Sequence, residues 1–305
     1  MTTGQDQSNG HGTAGLKSRS FLALLVTQGF GSLNDNIFRW FCVLQGMKIA
    51  SMKASTMSLG LVCFTIPYLL LAAHSAYVSD RFSKQKTIVA CKVAEILIMA
   101  LAVGAMALGG VDEMLGIYVL FAAVFLMGSQ SAMFGPAKFG SIPEIVRSEK
   151  ISEANGLMQM VTTAAAALGM FAGFVVSEMA DLSTNDPTLA SLMWPAVVLI
   201  TIAALGTFAS AFIEPLTPAD TTRQPPKPLR ETVGNLKLLY DNRPLFRAAL
   251  GEAFFWFLAS LATSAITLMG VDVLGLSQIK TGMLAIALVL GVGTGSVLAG
   301  MMSGG

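Results

Sequence analysis

Eight apolar runs of about 20 residues recur along the chain, at Phe21–Met47, Met57–Val78, Thr87–Leu108, Met114–Phe134, Asn155–Glu178, Leu192–Ile213, Arg247–Val271 and Gly282–Met302. A helix rises ~1.5 Å per residue, so ~20 apolar residues cross the roughly 30 Å hydrocarbon core of a bilayer. A closed β-barrel would need shorter strands of alternating polarity, and these runs do not alternate. The fold expected is therefore all-α and polytopic. Charged residues make up only 12% of the chain, against ~25% in soluble domains. A net charge of +1 says nothing about nucleic acid or acidic partners, and no nucleic-acid partner is expected of a membrane bundle. Cys42, Cys63 and Cys91 fall in apolar runs without metal-ligand or redox spacing. They read as small buried residues, and neither a metal nor a cofactor is expected.

The first run is interrupted by polarity at its centre. Within QGFGSLNDNIFR, Asn34, Asp35, Asn36 and Arg39 stand where the hydrocarbon is deepest. An ionised carboxylate at that depth costs at least ~2.5–3.5 kcal/mol, so it must face a partner or a polar cavity. Helical spacing puts Gln28, Gly31, Asp35 and Arg39 on one stripe. Two readings follow. Either Asp35 and Arg39, four residues apart, neutralise each other and only hold helices together, or the stripe meets a substrate. In the third run Lys92 and Glu95 are three apart, and they too either pair internally or serve a polar path.

Lysine and arginine set the orientation. With the N-terminus in the cytoplasm, fifteen of the 19 basic residues, Lys92 and Lys138 among them, fall on the inner side. Only Lys48, Lys53 and Lys280 fall outside, with Arg39 left in the membrane. Residues 1–16 are polar and Gly/Ser/Thr/Gln-rich, which predicts a disordered tail. A six-helix bundle over 17–213 is expected to follow. Next comes a proline-rich cytoplasmic linker over 214–246, stiffened by EPLTPAD and RQPPKPLR. Residues 247–305 then hold two helices of a second bundle that looks truncated. Such a piece, on its own, is expected not to transport.

Two stretches carry motifs. Between the second and third runs stands AYVSDRFSKQK, which resembles the signature loop of the major facilitator superfamily, G-x-x-x-D-R-x-G-R-x-K. Asp80, Arg81 and Lys86 match, Lys84 stands for arginine, and Ala76 and Ser83 replace the glycines. An ordinary positive-inside loop is the simpler reading of the same residues. Between the fourth and fifth runs, FGPAKFGSIPEIVRSEKISEANGL has Gly135-Pro136 and Pro143, expected to break the helix. They would leave Lys138, Glu144 and Asn155 close to the membrane.

NDN in the first run, PAKFG with PE, ANGL, and Phe255–Trp256 opening the seventh together resemble the bacterial lysophospholipid transporter branch of that superfamily. The resemblance runs from about Phe21 to the end of the chain, and is strongest to members that head larger proteins carrying acyltransferase and acyl-ligase domains. It implies twelve helices in two halves, about eight of them present here, with the substrate path between the halves. It also implies a multi-pass protein of the bacterial inner membrane. Asp80, Arg81, Lys84 and Lys86 would be a conformational latch.

The polar residues Gln28, Asn34, Asp35, Asn36, Arg39, Glu95, Lys138 and Asn155 are the candidates to meet a lysophospholipid, with helices one and four bracketing the cavity. Gly169-x-x-x-Gly173 and Gly291-x-x-x-Gly295 suit close helix approach, and the resemblance has these two helices meeting across the halves. Generic packing explains the spacing equally well. Two further readings stay open. The cargo could be another small amphiphile, or the chain could be the membrane module of a fused acyltransferase–ligase. Catalysis within the chain is not expected. GVGTGS at Gly291–Ser296 lies inside an apolar run rather than after a strand. In HSAYVSD, five residues separate His74 from Asp80, one more than the acyltransferase His-x4-Asp pair.

Overall fold

The computed structural model describes residues 12–48, 53–109, 112–180, 189–288 and 291. Its helices are α1 (Arg19–Lys48), α2 (Lys53–Arg81), α3 (Lys84–Gly109), α4 (Glu113–Ile145), α5 (Ile151–Met179), α6 (Leu189–Ser210), α7 (Pro228–Asp241), α8 (Arg243–Leu268) and α9 (Gln278–Leu288). Five of them, α2, α3, α4, α5 and α8, are long and apolar enough to cross a membrane. The long helix α1 is not among these five, because Asn34, Asp35, Asn36 and Arg39 dilute its hydropathy. It is instead a central helix, with 18 of its 30 residues buried. The eighth apolar run lies largely outside the described residues.

Helix α1 packs along α5 and α6, while α4 packs along α2 and α3, and α3 also meets α6. Two apolar cores result. One gathers Phe21 and Leu24 with Ile88, Phe134, Ala137, Ile142 and Met158. The other gathers Ile37, Phe38, Phe41 and Leu44 with Met99, Leu120, Val124 and Phe174. Between them α1 carries Thr27, Gln28, Gly31 and Asn34, all buried. The polar residues thus form a layer sandwiched between two greasy ones.

The α1–α5 contact depends on small residues. A Cβ at Gly169 would lie 2.5 Å from the Leu33 carbonyl oxygen, and one at Gly173 would lie 2.8 Å from the Trp40 Cβ. This glycine pair therefore seats α1, not the eighth run. Helices α5 and α9 do meet, but through Gly282, which lies against Phe171 and Phe174. The amide of Ile279 also donates to Glu178 at 2.7 Å. Gly295 lies outside the described residues.

Several sequence expectations change. Helix α4 does not break at Gly135-Pro136 or Pro143; both prolines lie inside one 33-residue helix. Membrane helices tolerate proline where neighbours satisfy the freed backbone groups. Lys138 and Glu144 are therefore helix residues, and Lys92 and Lys138 are buried in the bundle rather than at its surface. Residues 12–14, expected within the disordered tail, pair with the turn after α4. Gly12 donates to the Pro143 carbonyl at 2.9 Å, and Arg147 to that of Ala14 at 3.1 Å. A Cβ at Gly12 would sit 2.1 Å from the Ile145 backbone, so glycine is required there. The stretch expected to be linker contains α7 as well as an irregular strap, residues 214–227.

Gly169→Val is expected to force α1 and α5 apart at a cost of about 1–3 kcal/mol, the usual range for overpacking. A lowered thermal unfolding midpoint in detergent is the measurement that checks it.

Candidate functional site

The polar residues of α1 radiate to different neighbours rather than forming one stripe. Asn34 donates to Glu95 of α3 at 2.8 Å. Glu95 in turn pairs with Lys92, and the two side chains are only 1% and 2% exposed. A Cβ at position 31 would fall 2.2 Å from the Lys92 ammonium, so Gly31 makes room for that cation. Asp35 turns to α4, where the Ser131 hydroxyl donates to its Oδ2 at 2.5 Å. Its Oδ1 and the Oδ1 of Asn34 are buried without a hydrogen-bond partner.

Lys138 is 8% exposed, and its ammonium lies 5.6 Å and 4.4 Å from the ring centres of Phe134 and Phe139. Lys92 approaches the same Phe134 ring at 5.1 Å. Among the described residues Lys138 makes no ion pair, and neither do Asp35 and Arg39 with each other. Two carboxylates and two ammoniums thus share the polar layer between α1, α3 and α4.

The opposite side of α1 faces a cavity of about 520 Å³ bounded by α1, α2, α5 and α8. Arg39 is the one ionisable residue among the described residues that line it. Its guanidinium donates to Asn36 Oδ1 at 3.1 Å and lies 5.5 Å and 5.6 Å from the Trp40 and Phe64 ring centres. Asn36 is itself held by a 2.8 Å bond to the Ser32 carbonyl. The walls are Trp40, Val43, Met57 and Leu61 on one side and Phe255, Trp256 and Ala259 on the other.

Polar groups enter this cavity at Gln159, Thr162 and Thr163 of α5 and at Ser260, Thr263 and Ser264 of α8. Each trio follows i, i+3, i+4 spacing, a signal readable in the sequence but unused there. Gln28 does not line the cavity; it braces it, donating to Thr162 at 2.9 Å. Asn34, Asp35, Glu95 and Lys138 lie outside it, and Asn155 is exposed at the start of α5. Helix α4 contributes no wall, so the expected bracket of helices one and four is replaced by α1, α2, α5 and α8.

The four latch candidates divide. Asp80 pairs with Arg223 of the strap, and its carbonyl accepts from the Asp220 amide at 2.9 Å. Arg81 donates through Nη1 to the carbonyls of Thr221 and Arg223. Lys84 pairs with Glu144 of α4, and Lys86 is exposed. Hydrogen bonds from the Thr222 hydroxyl and amide hold the Asp220 carboxyl below its ordinary value and stiffen the strap at this point.

Residues 19–305 match the Major Facilitator Superfamily. The chain belongs to that superfamily. It is 26% identical over 285 residues to the lysophospholipid transporter LplT of Photorhabdus laumondii, covering 91% of this chain and 66% of that protein. It is 25% identical over 288 residues to LplT of Yersinia pestis, covering 91% and 64%. LplT of Cronobacter sakazakii is 30% identical over 165 residues, covering 53% and 38%. The chain thus spans about two thirds or less of the length of these relatives. The bundle of apolar helices is part of a superfamily-type helical bundle, as the sequence led us to expect.

The Lys92–Glu95 pair generates a stability prediction. Glu95→Gln strands a buried ammonium and is expected to cost about 3–5 kcal/mol, while Lys92→Met with Glu95→Leu recovers most of that loss. Unfolding titrations of the two variants in mixed micelles check both.

Proposed function

We propose that the protein moves lysophospholipids across the bacterial inner membrane by alternating access, with its N-terminus in the cytoplasm. The observation that carries this reading is the cavity in which one cation, Arg39, is set among aromatic and aliphatic walls. A lysophospholipid has one phosphate and one acyl chain, and it needs that combination. A guanidinium presents its donors as a fork suited to two phosphate oxygens. Asn36 holds the fork from one side, leaving the remaining donors for a ligand. The hydroxyls of Thr162, Thr163, Thr263 and Ser264 suit the glycerol, and Trp40, Phe255 and Trp256 suit the tail. The names of the relatives point to the same cargo.

The buried cluster has a different role in this reading. Asp35 keeps one oxygen without a hydrogen-bond partner, and among the described residues the Lys138 ammonium rests on two aromatic rings without an ion pair, so both have bonds to gain when helices shift. We assign them to the change of conformation that passes the head group from one side to the other. Gln28 positions the cavity wall, Asn34 and Glu95 hold Lys92 in place, and Asn155 meets substrate only at the entrance. Rocking of two halves about the linker supplies access, and the bonds of Asp80, Arg81 and Lys84 are the latch to be released, with Lys86 exposed beside them. An acyltransferase–ligase that consumes the delivered lysolipid, fused or associated, is the partner this reading implies.

Uptake of labelled lysophosphatidylethanolamine into transporter-deficient bacterial spheroplasts tests the reading in the full-length protein. Arg39→Gln is expected to lower uptake about 10- to 100-fold at equal membrane expression, the scale of a lost charge-assisted hydrogen bond. Arg39→Lys, which keeps the charge but not the fork, should retain an intermediate rate. Asp35→Asn and Lys138→Ala should slow turnover while leaving lysolipid binding in place. No uptake by well-expressed wild type would overturn the lysolipid assignment and leave another amphiphile as cargo.

A further inference from the structure

A second cavity, of about 1220 Å³, lies between α2, α3 and α4 and shares no residue with the first. Its walls are Leu71 and Val78 of α2, Leu97 and Ile98 of α3, and Leu126 and Met133 of α4. The strap closes one end with Pro215, Leu216, Thr217 and Pro218. At that end stand Arg81, Ser83 and Lys86, and no carboxylate is among the described lining residues.

Each of the three has unused bonding capacity. Arg81 spends only Nη1, on the carbonyls of Thr221 and Arg223. Lys86 is exposed and makes no hydrogen bond or ion pair among the described residues. The Ser83 hydroxyl is buried with no hydrogen-bond partner among the described residues. The nearest carboxylate in sequence, Asp80, is already taken by Arg223 and does not neutralise them. A long apolar trough that ends in unneutralised cations and an orphan hydroxyl asks for acceptor oxygens carried on hydrocarbon.

We propose that this groove is a binding site for an anionic diacyl phospholipid of the surrounding bilayer, its phosphate held by Arg81, Ser83 and Lys86. The volume favours two chains over one, being more than twice that of the cavity assigned to a single-chain lipid. In the orientation proposed above, this basic end lies at the cytoplasmic side, where basic pockets between helices recruit anionic head groups. The bound lipid is a resident rather than cargo. Its phosphate would tie the α2–α3 turn to the strap, and its chains would seal the gap between α2 and α3, which touch each other little.

The test is native mass spectrometry of the full-length protein in mild detergent, titrated with phosphatidylglycerol or phosphatidylcholine. Wild type is expected to retain one phosphatidylglycerol in preference to phosphatidylcholine. Lys86→Gln should weaken that retention about fivefold, the scale of one cation at a membrane surface. Leu97→Trp should abolish it by filling the trough. Position 86 is exposed and Leu97 is 66% exposed, so both variants fold. Arg39→Gln should leave the bound lipid in place, which separates this groove from the cargo cavity. Equal retention of the two lipids, undiminished retention in Lys86→Gln and Leu97→Trp, or loss in Arg39→Gln would each overturn the assignment.

Discussion

The ion pair of Lys92 with Glu95 constrains everything polar in the bundle. Both side chains are almost fully removed from solvent, and two charges in so dry a place persist only when each is opposed and hydrogen-bonded. Asn34 supplies the additional hydrogen bond, and Gly31 supplies the space. With that face of α1 committed to α3, Asp35 is turned toward Ser131 of α4 and Arg39 toward the cavity. The polar run of the first span is thus divided by the demand of one buried ammonium. The two apolar cores on either side make that division stable, because they bury α1 at both ends and leave it no alternative register.

That division also separates tasks that the sequence presents as one. A cavity for an amphiphile needs a modest number of polar groups and much hydrocarbon. Arg39, with its aromatic neighbours, meets that need, and no carboxylate is among the described residues that line the cavity. The carboxylates and ammoniums sit instead in a layer behind α1, where low dielectric strengthens their mutual attraction. Threonine and serine at helical spacing on α5 and α8 then give acceptors and donors that carry no charge.

Much of this is legible in the sequence. Long apolar runs gave the all-helical membrane bundle, because a backbone in lipid has few ways to satisfy itself. Asp35, Asn36 and Arg39 stood out since charge and amide at that depth are costly. What could not be read was rotation about each helix axis. Gln28 and Asp35 share a nominal stripe, yet one bonds to α5 and the other to α4, because helix positions a few residues apart can meet different neighbours in a crowded bundle. Proline misled for a related reason. Pro136 and Pro143 break helices in water, whereas packed membrane helices absorb them, and so Lys138 was expected near a loop and lies in the core. The partner of Asp80 was hidden by distance in sequence: Arg223 lies across the chain, in a stretch that reads only as proline-rich linker.

The fastening of the strap bears on how far α7 and α8 can move before α2 and α3 respond. Glu214 is tied to Ser20, Asp220 and Arg223 to Asp80, and Arg81 to the strap's carbonyls. Loose chain between the last of these ties and α7 is then confined to Gln224–Pro225–Pro226–Lys227, two of whose residues are prolines. A tether so short and stiff stores little slack. A linker that looks generous by residue count therefore behaves as a short leash, and any displacement of α8 would load the Asp80–Arg223 contact early instead of first drawing out free chain.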